Sequence, residues 1–204
     1  MEIEIVEATP DNPLGGALNY AALNDMSETM LGVSSKEQAI DGLQYLWQQA
    51  GNRFSHEYTL VATIESQTAG AITCMPVEKM DHAFYKTFID IVRYRKLGVI
   101  LYAIRNFKKM MLLSTMKEGE KGEYHISMLA TRPDFRGQGV GSALLEAAEE
   151  RGQAEGYDSI SLTVKKDNDQ ALNVYESKGY KIVGDIDLED IQLYRMRKII
   201  AAKP

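Results

Sequence analysis

Residues 132–151 read RPDFRGQGVGSALLEAAEER, with Gly137, Gly139 and Gly141 at alternate positions behind Arg136 and ahead of a helix-forming run. Glycines that free the backbone just before a helix N-terminus mark a place where an anion can be held. The first N–H groups of a helix lack intrahelical acceptors, and its dipole is positive at that end. The N–H groups from Gln138 through Val140 to Gly141 are placed to face a diphosphate, and Arg136 adds charge beside them. A nucleotide phosphate, a dinucleotide pyrophosphate and the pyrophosphate of coenzyme A are the candidate anions, and each implies a different chemistry.

Two of these readings fail on particular positions. A Walker A loop needs Lys and then Ser or Thr directly after its last glycine, so that an ammonium reaches the phosphates and a hydroxyl reaches magnesium. Here Gly141 is followed by Ser142 and Ala143. A dinucleotide fingerprint needs its third glycine three positions after the second, directly on an apolar strand. Counted from Gly139 that position is Ser142, and the preceding RPDFR is no core strand. What remains is Arg136-x-x-Gly139-x-Gly141 at a strand-to-helix junction, with a plain flexible turn as the alternative.

Other residues with reactive side chains are fewer. Glu123 and His125 alternate at the start of the run 123–131, so a strand there points both to one face. The lone cysteine, Cys74, sits in AITCMPV without a basic activator, which reads as a buried thiol rather than a nucleophile. It cannot form an internal disulfide, which fits a reducing compartment. His56, His82 and His125 lack metal-ligand spacing, so no metal is expected.

The elements that must position these residues follow from periodicity. Residues 2–7 alternate as a half-buried strand, and helical spacing follows over 17–31 and 35–50. The second helix opens on SSKEQ, in which Ser35 and Gln38, or Ser34 and Glu37, have capping-box spacing. YTLVATIESQTAGAITCMPV reads as a hairpin whose short polar link contains Gly70. A helical insertion spans about 79–117, with the basic VRYRK and RNFKK around the apolar LGVILYAI of 97–104. Met110, Met111 and Met116 read as its core filler. Arg93, Arg95, Lys96, Arg105, Lys108 and Lys109 read as a solvated face, or as one that meets an acidic acceptor or partner subunit. A strand over 123–131, ended by Pro133, delivers the chain to the glycines. A helix over 142–154, a strand over 159–165, a helix over 169–177 and the strands KIVGDIDL and IQLYRMRKI complete an α/β (α+β) sandwich with a mixed sheet.

At 204 residues the chain suits one well-buried core, so a single domain over 1–204 is expected. A net charge of −6 argues against a general nucleic-acid binder. The start, MEIEIVEATP, lacks the basic and apolar regions of a signal peptide, and LGVILYAI is far short of the roughly 18 apolar residues of a bilayer span. A cytoplasmic protein with no membrane partner is expected.

Two signatures together make the sequence resemble the GCN5-related N-acetyltransferase (GNAT) superfamily. MLATRPDFRGQGVGSALLEAAEE is similar to that family's strand, proline and Arg-x-x-Gly-x-Gly/Ala segment opening a helix. NDQALNVYESKGY, with Asn168, Ala171, Tyr175, Gly179 and Tyr180, resembles its later Asn-x-x-Ala-x-x-x-Tyr signature, in the right order and at the usual separation. The likeness is strong over 124–183 and looser over the rest, and Thr131 stands where the family more often has Val. GNRFS at 51–55 and the insertion resemble a bacterial branch of the superfamily.

The resemblance implies the GNAT fold, with a mixed, mostly antiparallel central sheet flanked by helices. It implies an N-acetyltransferase that uses acetyl-CoA and transfers acetyl directly to a primary amine of a small-molecule or peptide acceptor. Leu129, Ala130 and Thr131 would offer backbone groups to the pantetheine arm. Arg136, Gly137, Gln138, Gly139, Val140, Gly141 and Ser142 would hold the pyrophosphate, and Asn168 would contact the cofactor or a water. Tyr175 would protonate the departing thiolate, as a phenol of unperturbed pKa about 10 can. His125 or Glu123 would relay the amine's proton through water, a solvated strand end being the alternative. The acceptor would be shaped by residues 18–54 and by the insertion, and the insertion and last strand offer surfaces for a homodimer. The alternative is a non-catalytic acyl-CoA-binding or regulatory module on the same fold.

Overall fold

The computed structural model describes residues 2–96, 116–188 and 191–200. Seven strands form one sheet in the order β1-β2-β3-β4-β5-β7-β6, namely β1 (Glu4–Glu7), β2 (Thr59–Ile64), β3 (Gln67–Pro76), β4 (Tyr124–Thr131), β5 (Ser159–Lys165), β6 (Lys181–Leu188) and β7 (Ile191–Ile199). Only β4 and β5 run parallel, and every other neighbouring pair is antiparallel.

Between β1 and β2 lie α1 (Gly15–Leu23), α2 (Asp25–Leu31) and α3 (Lys36–Gln48). The helical run expected over 17–31 is thus two helices, broken at Asn24, whose φ of 51° is one that an asparagine tolerates better than most residues. Ser35 is the cap of α3: its hydroxyl accepts the Gln38 N–H at 3.3 Å, while the Gln38 side-chain oxygen accepts the Ser34 N–H at 3.3 Å. The β2–β3 link is Glu65–Ser66, both at positive φ, as a tight primed hairpin turn requires. Gly70 is not in that link but inside β3, where a Cβ would lie 2.7 Å from the Ala130 carbonyl oxygen, so close packing against β4 selects the glycine.

α4 (Val77–Arg95) opens the expected insertion, and of Met110, Met111 and Met116 the last is described. LGVILYAI, Met110, Met111, Arg105, Lys108 and Lys109 lie outside the described residues. After β4 come α5 (Val140–Ala154) and α6 (Asp169–Ser177). One face of the sheet packs Ile72, Ile160 and Leu162 against Leu144, Leu145 and Ala148 of α5. The other packs Val61, Ala71 and Ala130 against Leu18 of α1 and Trp47 of α3. No helix among the described residues is long and apolar enough to cross a membrane.

Candidate active site

The two parallel strands are hydrogen-bonded only at their starts: Tyr124, His125 and Ile126 pair with Ile160, Ser161 and Leu162, and the ladder ends there. A β-bulge lies just beyond. On β3, Thr73 opposes Met128 and Cys74 opposes Ile126, which leaves Ser127 as the extra residue. A bulge bends the strand that carries it and reverses the inward and outward alternation that follows. Tyr124 and Ile126 accordingly face α5, whereas Met128 and Ala130 face α1–α4 and Leu129 turns back toward α5. Past the bulge, the edge of β4 toward β5 has no strand partner, and the buried Ser127 Oγ has no hydrogen bond among the described residues.

This splay opens a cavity of about 340 Å3. Leu129 of β4, Thr163 of β5, and Asn168 and Tyr175 line one flank, while Met30 of α2, Phe54 and Phe88 of α4 line the other. Tyr175 is 9% exposed, and burial pushes its phenol up to about 12, so it is protonated throughout the neutral range. Its ring meets Tyr180 edge-on at a centroid distance of 5.9 Å.

Charged groups also line the cavity. Arg53 donates to both carboxylate oxygens of Glu118, at 2.7 and 2.8 Å, in the bidentate geometry that suits a guanidinium. The GNRFS stretch positions Arg53: buried Asn52 donates to the Leu46 carbonyl at 2.8 Å and accepts the Phe54 N–H at 2.8 Å. The Arg53 N–H itself donates to Thr87 Oγ1 at 3.0 Å. Burial works to raise the Glu118 carboxyl, but the Arg53 charge outweighs it and holds the group well below the usual carboxylate range. His125 lies behind this pair, fully buried, with Nε2 3.5 Å from Glu118 Oε2 and Nδ1 3.1 Å from Ser161 Oγ.

Of the residues singled out in the sequence, the fold brings Leu129, Asn168 and Tyr175 to the cavity and His125 to the back of Glu118. Glu123 is placed elsewhere: its carboxylate accepts the Glu120 N–H at 2.8 Å and faces Arg197 at 3.4 Å. Ala130 is buried on the opposite face. Asn168 caps α6, its side-chain oxygen accepting the Ala171 N–H at 3.1 Å. Thr131 is half-buried beside Gly141.

The glycine segment lies outside the cavity lining. Arg136, Gly137, Gln138 and Gly139 are exposed, Gly141 and Ser142 are half-buried, and Val140 is in the core. The helix begins at Val140 rather than Ser142, because Gly139 takes the N-cap at φ 85°. Gly137 has φ 76°, with nothing within 4 Å of where a Cβ would stand. Both glycines are therefore required by the backbone, and the first N–H groups of α5 point out of the helix end. Arg53 and Glu118 escaped the sequence reading. They are joined only by the fold, and KEGEKGE around Glu118 carries no periodic signal.

Residues 23–180 match the model of a family described as "Acetyltransferase (GNAT) family". An acetyltransferase of Pectobacterium atrosepticum is 37% identical over 71 residues, a match that spans 35% of this chain and about half (49%) of that relative. A crystal structure of an acetyltransferase superposes with a TM-score of 0.70 at 25% identity, covering 97% of this chain and 99% of that one. The PaiA N-acetyltransferase of Thermoplasma acidophilum, in complex with coenzyme A, superposes with a TM-score of 0.53 at 17% identity over 98% of this chain and 99% of that one, a likeness of fold.

Proposed function

Because the chain belongs to the acetyltransferase (GNAT) family, we propose that it transfers an acetyl group from acetyl-CoA directly to a primary amine. The observation that carries this reading is the β4–β5 pairing that stops at Ile126 and Leu162 and opens on Tyr175. The residues fit the group: an open strand edge over 127–131 with an unpaired Ser127 hydroxyl suits an amide-bearing arm, and a glycine-capped helix end suits a diphosphate. Leu129, Ala130 and Thr131 hold the arm through their backbone. Gly137 to Ser142, with Arg136 alongside, hold the pyrophosphate.

When bound, acetyl-CoA supplies a thioester carbonyl open to attack and a thiol as leaving group. The protein's own residues manage protons. As the C–N bond forms and the C–S bond breaks, the amine loses one proton and Tyr175 gives one to the departing sulfur, so the phenol is restored by a proton from solvent. Glu118, which Arg53 keeps charged, orients the amine's N–H, and the amine's proton leaves to solvent. Glu123, engaged by Glu120 and Arg197, takes no part. Cys74 supports transfer without an acetyl-enzyme, since burial pushes its thiol up to about 12 and it does not line the cavity.

The test is thiol release from acetyl-CoA across a panel of primary amines, expected to depend on the amine. Tight coenzyme A binding with no release for any amine replaces this reading with a binding module. Gly139→Ala is a second expected result. A side chain at φ 85° costs about 1–2 kcal/mol, and relief of that strain turns the loop N–H groups away. Coenzyme A affinity measured by calorimetry is expected to fall about tenfold, equivalent to ~1.4 kcal/mol.

A further inference from the structure

On the acetyltransferase reading above, we infer that the acceptor is a monoamine carried on an apolar, aromatic-sized body, and not a polyamine or a peptide. Phe84 and Phe88, one turn apart on α4, line the cavity yet are each 42% exposed. Met26 and Met30, one turn apart on α2, also line the cavity, with Phe54 and Ile91 beside them. Large apolar side chains left open on a concave surface mark a place that an apolar ligand covers.

Charge points the same way. Among the described lining residues, Glu118 is the one carboxylate, against two cations, Arg53 and Lys165. Arg53 already occupies both Glu118 oxygens. A single neutral amine can donate an N–H there and keep its lone pair free, but each further ammonium of a polyamine would be desolvated with no counter-charge. Size points the same way: about 340 Å3 is at the small end of ligand pockets, which suits a compact body better than a chain of residues.

The experiment compares 2-phenylethylamine, spermidine and trialanine by two readouts: calorimetric binding in the presence of coenzyme A, and thiol release from acetyl-CoA. 2-Phenylethylamine is expected to bind, and to be turned over with a kcat/KM at least tenfold above the other two. Phe88→Ala, at a half-open position, is expected to raise its KM about tenfold by removing the ring that covers it, with an unchanged far-ultraviolet circular dichroism spectrum as the control for folding. Preferred binding or turnover of spermidine or trialanine overturns the inference while the transfer reading stands, and so does an unchanged KM in Phe88→Ala. Binding of 2-phenylethylamine without thiol release keeps the ligand class and overturns transfer.

Discussion

Tyr175→Phe is expected to lower kcat by about 10²–10⁴-fold, the usual loss when a positioned general acid is removed, while coenzyme A affinity stays within about twofold of the parent. The split follows from what the hydroxyl does and the ring does not. The ring packs edge-on against Tyr180 within the core, and phenylalanine keeps that contact and its volume. On the proposed reading, the oxygen alone delivers a proton to the thiolate. Burial raises the phenol to about 12, so it is the proton-bearing form that faces the cavity from neutral pH up to that value. The parent enzyme should therefore show no loss of kcat from Tyr175 between pH 7 and 10, the loss arriving only as pH nears 12. Steady-state kinetics across that range, with coenzyme A calorimetry on both proteins, reads both effects. Full activity of the phenylalanine variant at every pH would remove Tyr175 from the acid's role.

How much of this was legible in the residues depends on how local the cause was. α6 and β5 have the bounds their sequence predicts, because a capping Asn168 and the alternation of Ile160, Leu162 and Val164 act within a few positions. The start of α5 moved by two residues because a glycine at positive φ can itself serve as the N-cap. Gly70 looked like turn material and proved to be a packing glycine, since the carbonyl that excludes its Cβ comes from β4, sixty residues away in sequence. Alternation placed Glu123 and His125 on one face, yet their surroundings differ: one meets Arg197 and the other Glu118. The bulge at Ser127, which turns Ile126 and Met128 to opposite sides, is a matter of register with β3 and leaves no pattern in β4 itself. Arg53 and Glu118 are the extreme case, because a lone acid in a polar loop is typed as catalytic or solvated only by what the fold brings opposite it.

That pair also predicts the largest change in stability. Arg53→Ala is expected to destabilise the protein by about 3–5 kcal/mol, because removing one partner leaves a largely buried carboxylate uncompensated. The Arg53 and Glu118 side chains are 18% and 13% exposed, which points to the lower end of that range. Glu118→Gln keeps the shape and removes the charge, and it isolates the pH dependence. The folded chain holds the Glu118 carboxyl well below its unfolded value of 4.5, so as pH falls the unfolded chain takes up the proton first. The stabilisation from this group is thus complete above about pH 4.5 and drains away as pH falls below it. Urea denaturation of the parent and Glu118→Gln proteins between pH 7 and pH 3 is expected to show a gap that is constant down to about pH 4.5 and narrows below it. A gap that stays constant to pH 3 would mean that Arg53 and Glu118 do not act as a charged pair in the folded protein. In that case the Glu118 carboxyl would titrate alike in the folded and unfolded chains, and Arg53 would not be what keeps it charged at the cavity wall.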